Sequence, residues 1–209
     1  MHGVEHAVTR PLPTEKRPDG PEMARPRLHD PTSAYHEAGH AVAFWHHGIR
    51  FRYVTLSPRN AAHGGHVYVG RRAEISDPAK MRIEMQLAAA GEIAYGRMFR
   101  LRSVSDDDTL LRRFARMAAD PASPWLDEDM RNFARMGGDM DAALRAAVPD
   151  TVTGPLAWLA IWRDTEHLIR NQLWPAVYAV AWELVFSRHG FTYAEVSAMA
   201  VAALEAHAA

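Results

Sequence analysis

The sequence contains no cysteine. Disulfide bonds, a cysteine nucleophile and cysteine-ligated metal sites are therefore excluded, and a zinc site in this chain must use histidine and carboxylate ligands. A strong net charge is also missing, because 24 basic and 25 acidic residues leave a formal charge of -1 at pH 7. No overall electric field thus favours binding to nucleic acid or to an anionic membrane.

Long apolar runs are absent as well. The N-terminal segment has no apolar core of the signal-peptide type, and the longest apolar stretches further on are interrupted by Arg163, Asp164 and Glu183. We therefore expect a cytoplasmic protein without a membrane segment. The phosphate-binding pattern G-x-x-x-x-G-K-[ST] does not occur, which argues against a nucleotide-driven motor.

The first 30 residues differ in composition from the rest of the chain. They hold prolines at positions 11, 13, 18, 21 and 26 among charged residues, and they lack apolar periodicity. Such a segment cannot bury enough surface to offset the entropy lost on ordering, so we predict a disordered N-terminal tail over 1–30. Residues 31–209 are long enough for one well-cored domain.

This domain has a mostly helical pattern with a short β segment near its start. Apolar spacing and breaking residues predict helices over roughly 31–47, 78–98, 107–119, 126–147, 154–170, 172–188 and 192–207. Residues 50–57 and 66–69 are rich in β-forming residues and are separated by the Gly64-Gly65 turn, which predicts two short strands. The expected fold class is α+β, mostly α-helical, with a small β-sheet or hairpin.

The first predicted helix carries the pattern H-E-x-x-H at His36, Glu37 and His40. Residues four apart on a helix lie on one face about one turn apart, so both imidazoles can reach the same metal ion. Glu37 flanks that face, where a carboxylate can accept a proton from a metal-bound water. Gly39 costs about 1 kcal/mol relative to alanine inside a helix, which indicates that another element packs closely against this turn.

A third ligand is needed, because zinc in a hydrolase normally has three protein ligands and leaves the fourth position to water. His46 has the spacing of the longer pattern H-E-x-x-H-x-x-G-x-x-H, but Ala43 stands where that pattern has the glycine that turns the chain. If the helix continues through Ala43, six residues at about 100° each carry His46 well round the cylinder from His40. His46 is then better interpreted as a solvated or capping histidine.

Acidic residues at the start of a later helix are the other candidates. The run Asp106-Asp107-Asp108 stands at the beginning of the helix predicted over 107–119. Acids in this position also cap a helix and suit its dipole, so the residues alone leave both interpretations open. His63 and His66 bracket the glycine turn and could approach the site, although exposed loop histidines are common.

Five segments of the chain occur in the order in which they stand in one family of zinc enzymes. They are Tyr35 to Ala41 with the H-E-x-x-H pattern, Val54 to Arg59 followed by Gly64-Gly65, the Ala-Gly-rich run Leu87 to Gly96, the acidic helix start Ser105 to Arg116, and Trp174 to Val177 with Leu184 and Thr192 to Val196. In these segments, over about residues 31–205, the chain resembles the peptidase domain of FtsH-type ATP-dependent zinc metalloproteases. The ATPase module and membrane anchor of the full-length enzymes have no counterpart in it, so the resemblance implies a free-standing peptidase-like domain.

The resemblance also implies a set of site residues. A Zn2+ ion would be bound by His36, His40 and Asp107, the aspartate being placed by counting back from Ala115-Arg116. The acids on either side of Asp107 stay open as alternatives. Glu92, in the Ala-Gly-rich helix, would orient a ligating histidine.

The activity implied is that of a zinc-dependent metalloendopeptidase. Glu37 would take a proton from the zinc-bound water that attacks a peptide carbonyl and would then pass it to the leaving amine. The substrates would be unfolded or small polypeptides, or proteins delivered by a separate ATPase or unfoldase. Further copies of the same chain, in a homo-oligomer, are the other partners implied. The alternative function is a catalytically silent binding or regulatory module with the same fold.

Overall fold

The computed structural model describes residues 29–56, 65–70, 76–99, 106–148 and 150–209. These ranges contain seven α-helices: α1 Pro31–His46, α2 Pro78–Met98, α3 Asp107–Ala119, α4 Glu128–Ala147, α5 Pro155–His167, α6 Trp174–Phe186 and α7 Tyr193–Ala208. They also contain three strands: β1 Tyr53–Thr55, β2 His66–Tyr68 and β3 Phe191–Thr192. The predicted fold class, α+β and mostly helical, is therefore confirmed. Among the described helices, none has both the length and the apolarity that a membrane span requires.

The starts of the helices follow from local capping chemistry. In five of the seven, the residue before the first turn accepts a backbone N–H bond through its side chain; these residues are Asp30, Asp77, Asp106, Asp127 and Thr192. Such a bond satisfies one of the N–H groups that have no partner inside the helix. The first helix stops before Gly48, whose φ of 67° is a left-handed conformation that glycine adopts without strain.

The junction between α5 and α6 differs from the predicted break. Residues Leu168–Gln172 form a π-helical turn, and the N–H of Leu173 donates to the carbonyl of Leu168 over 2.9 Å. The chain therefore remains helical from α5 into α6. Pro175 lies in the first turn of α6, where backbone N–H groups have no partner inside the helix, so proline costs no hydrogen bond.

The helix α1 is buried along most of its length and packs against α2 and α6. Its contact with α2 is close at Gly39, where an added Cβ would lie 2.6 Å from the carbonyl oxygen of Ala90 and 2.7 Å from the Cβ of Ala94. The close approach that Gly39 predicted is thus confirmed. It brings the imidazoles of α1 within reach of the backbone of α2.

Replacing Gly39 by alanine should therefore destabilise the protein. Overpacking of this kind typically costs about 1–3 kcal/mol, and a domain of this size loses roughly 2–4 °C of thermal midpoint per kcal/mol. The matched control is Gly138→Ala in α4, because a Cβ there meets no atom within 4 Å, and alanine is favoured by up to about 1 kcal/mol in a helix. Thermal unfolding followed by circular dichroism compares the two variants, and a similar rise in both midpoints would contradict the close contact.

A second part of the core holds α4 in place against α3 and α5. Its aromatic side chains are fully or almost fully buried: Phe114, Phe133, Trp158 and Trp162. The rings of Phe114 and Phe133 stack with centroids 5.4 Å apart, and Gly137 leaves room for the indole of Trp158. The buried carboxylate of Asp141 accepts bonds from the indole N–H of Trp158 and the backbone N–H of Gly154. These contacts fix the direction of α4 and thereby the position of its N-terminal turn.

The sheet has the order β2-β1-β3, and both pairings are antiparallel. The two strands predicted near residues 50–57 and 66–69 are confirmed as β1 and β2, although each is shorter. β3 was not predicted, because a strand of two residues is too short to show an alternating pattern. It pairs with β1 beside Gly190, whose φ of 72° lets the backbone lie against the carbonyl of Val54. As an edge strand, β2 has one side without a strand partner in the described sheet.

Most of the tail predicted over 1–30 lies outside the described residues. Its last two residues, His29 and Asp30, contact the domain. The backbone N–H of His29 donates to the carbonyl of Val185, and its ring bonds the carbonyl of Ser187 over 2.9 Å. Asp30 caps α1, so the helix with the H-E-x-x-H pattern is anchored at its start.

Candidate metal centre

Three ligand atoms meet between α1 and the first turn of α4. The Nε2 atoms of His36 and His40 are 3.1 Å apart, and Oδ2 of Asp129 lies 3.0 Å from the first and 3.2 Å from the second. The two histidines therefore share one site, as their spacing on the helix predicted. Together with Asp129 they form a group that can hold a metal ion.

The geometry of this group suits zinc. Two imidazole nitrogens and one carboxylate oxygen are a usual donor set of a hydrolytic zinc site. Ligand atoms about 2.0–2.1 Å from a tetrahedral zinc ion are roughly 3.3 Å from one another, and the three separations here are 3.0 to 3.2 Å. Binding would therefore need the donors to move apart by only a few tenths of an ångström, and a fourth position would remain free.

The helix α2 orients His40 and leaves space for both imidazoles. The Nδ1–H of His40 donates to the carbonyl oxygen of Leu87 over 2.8 Å, so Nε2 is the nitrogen that faces the cluster and would bind a metal ion there. One turn further along α2, a Cβ on Gly91 would lie 2.3 Å from Nε2 of His40 and 2.9 Å from Cε1 of His36. Only glycine at this position leaves room for the ligand atoms to converge.

The charges of the cluster favour a cation at its centre. Burial disfavours the charged form of His40, but the carboxylates of Asp129 and Glu37 outweigh it and raise the pKa of His40 to about 9. Burial would raise the pKa of Asp129, yet the interactions with His40 and His36 outweigh it and hold this pKa well below its usual range. The carboxylate of Asp129 therefore stays ionised and can neutralise part of the charge of a divalent cation at the centre.

Glu37 lies beside the cluster and is almost buried, with 8% of its surface exposed. Burial raises the pKa of its carboxyl group; the charges of His40, His36 and His66 oppose this shift, whereas Asp129 adds to it. The backbone of Gly65 packs on the side chain, since a Cβ at Gly65 would lie 2.3 Å from Cγ of Glu37. A buried carboxylate with a raised pKa beside a candidate metal site is suited to proton transfer.

The cluster and Glu37 open into a cleft of about 690 Å³. Its walls come from α1, α2, α4 and the first two strands. Residues of β1 and β2 line it too, among them Thr55, His66 and Tyr68. The apolar part of the lining includes Leu87, Ala88 and Met136. A cleft of this volume is in the range of about 300–1,000 Å³ that small-molecule sites have.

The third ligand atom at the cluster comes from Asp129 and not from the predicted Asp107. The carboxylate of Asp107 is exposed at the start of α3 and accepts two bonds from the guanidinium of Arg163, at 2.6 and 2.9 Å. Asp106 caps α3 through the backbone N–H of Thr109, and Asp108 is exposed in the first turn. These acids therefore lie at the start of α3, where they cap the helix or suit its dipole. This is the second interpretation that the sequence left open.

Glu92 does not orient a histidine either. It forms a two-bond ion pair with Arg113 of α3, at 2.6 and 3.0 Å, and so links α2 to α3. The orienting role belongs to the carbonyl of Leu87. His46 is exposed at the end of α1 and outside the cluster, and His63 lies outside the described residues.

One signal in the sequence could have directed attention to Asp129. The tetrapeptide Phe-Ala-Arg-Met occurs twice, at 114–117 and at 133–136, and each copy follows an acidic helix start, at 106–108 and at 127–129. Two such starts were thus available as sources of the third ligand. Local chemistry does not separate them, because each begins with an aspartate that caps its helix.

Comparison with known proteins adds no relative. No protein-family model matches the chain, and a search of curated proteins finds no match. The fold and the site therefore define the class of protein by themselves: an α+β, mostly helical protein in which two histidines and an aspartate form a candidate metal centre.

Proposed function

We propose that this protein is a zinc-dependent metalloendopeptidase of the cytoplasm that hydrolyses peptide bonds in unfolded or small polypeptides. The observation that carries the proposal is the joint placement of Glu37 and the cluster of His36, His40 and Asp129 in one cleft. This arrangement is what metal-assisted hydrolysis needs: three ligands, an open position and a carboxylate beside it.

Each residue has a distinct task. A zinc ion in the cluster would supply Lewis acidity to the peptide carbonyl and to water. Glu37 accepts a proton from the attacking water and returns it to the nitrogen of the leaving amine, and its burial raises its pKa, which favours accepting that proton. The carbonyl of Leu87 keeps His40 in the tautomer that binds metal.

The sheet gives the substrate a place to bind. β2 is an edge strand and its residues line the cleft, so an extended peptide can lie beside it and add backbone hydrogen bonds. A folded protein cannot offer an extended segment to such a cleft. The substrates are therefore unstructured or short, or they are supplied by a separate ATPase that unfolds them.

The test combines metal content with hydrolysis. Metal-free protein is reconstituted with zinc, its zinc content is measured by elemental analysis, and it is incubated with a permanently unfolded protein and with a library of short fluorogenic peptides. We expect about one zinc per chain, cleavage of both substrate types, and loss of cleavage on chelation that zinc reverses. Stoichiometric zinc without cleavage of either substrate would overturn the peptidase and leave the silent binding module.

Zinc should also raise the thermal stability of the metal-free protein. A ligand at a thousandfold excess over its Kd stabilises the folded state by about 4 kcal/mol, which corresponds to roughly 8–16 °C in a domain of this size. His46→Ala is the matched control, because His46 lies outside the cluster and its removal should leave the zinc-induced shift unchanged. Differential scanning calorimetry with and without zinc measures the shift, and an unchanged midpoint in the wild-type protein would contradict zinc binding.

A further inference from the structure

One histidine of the cleft is not part of the metal-binding group and belongs to the wall that the sheet forms. His66 is the first residue of β2, is exposed, and lines the same cleft as His36, Glu37 and His40. Its ring contacts the ring of Tyr68 edge-on with centroids 4.7 Å apart. Within the described part of the chain, its ring nitrogens have no hydrogen-bond partner, so they are available to a bound molecule.

The backbone holds His66 close to Glu37. Gly65 packs directly on the Glu37 side chain, and His66 is the next residue. The pairing of His66 with Thr55 in the β1–β2 ladder sets the position of its backbone. The side chains of His66 and Glu37 also line the same cleft.

We propose that His66 is a further catalytic residue, which donates a hydrogen bond from its ring N–H to the oxygen of the scissile carbonyl as that oxygen gains negative charge. The inference rests on the proposed peptidase function. In the reaction, the water oxygen bonds to the carbonyl carbon and the carbon–nitrogen bond breaks. The proton that Glu37 takes from the water goes to the leaving nitrogen, and His66 keeps its own proton throughout.

The position of His66 explains why this task falls to it. Glu37 and the three ligands are contributed by α1 and α4, whereas His66 reaches the cleft from β2. A carbonyl bound between the two walls can therefore receive a donor from the sheet side without competing for the metal ligands. Donors aimed at a developing oxyanion act mainly on the transition state, so they change kcat more than KM.

The first experiment compares His66→Ala and His66→Gln in the zinc-loaded full chain. Loss of one oxyanion donor typically lowers kcat about 10²–10³-fold, and we expect this loss in His66→Ala with a small change in KM. His66→Gln keeps an N–H donor and should recover part of the rate. The control is His207→Ala, which removes an exposed histidine near the end of α7 and should keep wild-type kinetics.

The second experiment measures binding without turnover. A peptide phosphonamidate, which is tetrahedral and anionic at the reacting centre, should bind His66→Ala about 10²-fold more weakly than the wild type, as expected for a transition-state analogue that loses one donor. An uncleaved peptide should bind Glu37→Gln equally well with and without the His66→Ala change. Zinc content should be the same in all of these proteins.

Three outcomes overturn the inference, and they separate it from the proposed function. His66→Ala with wild-type kcat and phosphonamidate affinity removes the catalytic role of His66 and leaves the peptidase intact. A rate loss in Tyr68→Phe together with an active His66→Ala assigns the donor to Tyr68. A zinc-loaded wild type that neither cleaves peptides nor binds the phosphonamidate overturns the peptidase itself, and the role of His66 with it.

Discussion

Glu37→Gln is expected to bind zinc like the wild type and to hydrolyse peptides about 10²–10⁴-fold more slowly, the range that general acid–base catalysis contributes. The amide has nearly the shape of the carboxylate, and Glu37 is not one of the three converging ligand residues, so the metal centre should persist. The amide cannot accept the proton of the attacking water. The variant therefore separates proton transfer from metal binding.

The measurement pairs zinc analysis with steady-state hydrolysis of a short peptide that needs no unfolding. Glu205→Gln is the matched control, because it makes the same chemical change at an exposed position of α7 that is not part of the cleft lining. Equal cleavage by the wild type and Glu37→Gln would show that the observed activity does not come from this site. The peptidase proposal would then fail.

Asp129→Ala is expected to lose most of the zinc affinity. Changing a partner that merely orients a ligand costs about 10–100-fold in metal affinity, so removing a ligand should cost more than about 100-fold. Asp129 is also the negatively charged ligand, and its carboxylate lies next to the Nε2 atoms of both imidazoles. Its loss leaves two neutral nitrogens, which hold a divalent cation only weakly.

Asp107→Ala is the matched control for this experiment. It removes the same side chain at the start of α3, where Asp107 is paired with Arg163 and does not reach the cluster. Zinc titration against a competing chelator should leave the Kd of Asp107→Ala close to that of the wild type, with circular dichroism confirming that both variants are folded. A larger loss in Asp107→Ala than in Asp129→Ala would return the third-ligand role to the position that the family resemblance implied.

Local patterns were enough to predict most of the secondary structure and three of the four central site residues, His36, Glu37 and His40. The helical periodicity, the capping aspartates and the H-E-x-x-H spacing involve residues only a few positions apart, so their consequences are visible without knowing the fold. The convergence of His36 and His40 is of this kind, since one turn of α1 separates them. The same holds for Gly39, whose cost inside a helix predicted the close contact with α2.

The wrong expectations concern partners that are far apart in the sequence. Glu92 was expected to orient a histidine, whereas in the structure it pairs with Arg113 of α3, which is 21 positions away in the sequence. β3 exists because the chain returns to β1 after α6, and its own two residues carry no pattern. Propensity and periodicity do not encode such pairings, because these depend on how the helices pack.

The sequence by itself determined the class of the fold, the position of the first helix and the two histidines that can share a metal. Only the tertiary structure decided which acid joins them. The acidic starts of α3 and α4 have the same capping chemistry, and the difference between them arises from packing: α4 lies against α2, and the aromatic contacts around Phe133 and Trp158 fix its direction. Asp129 consequently reaches the imidazoles, whereas Asp107 is held by Arg163 at the surface.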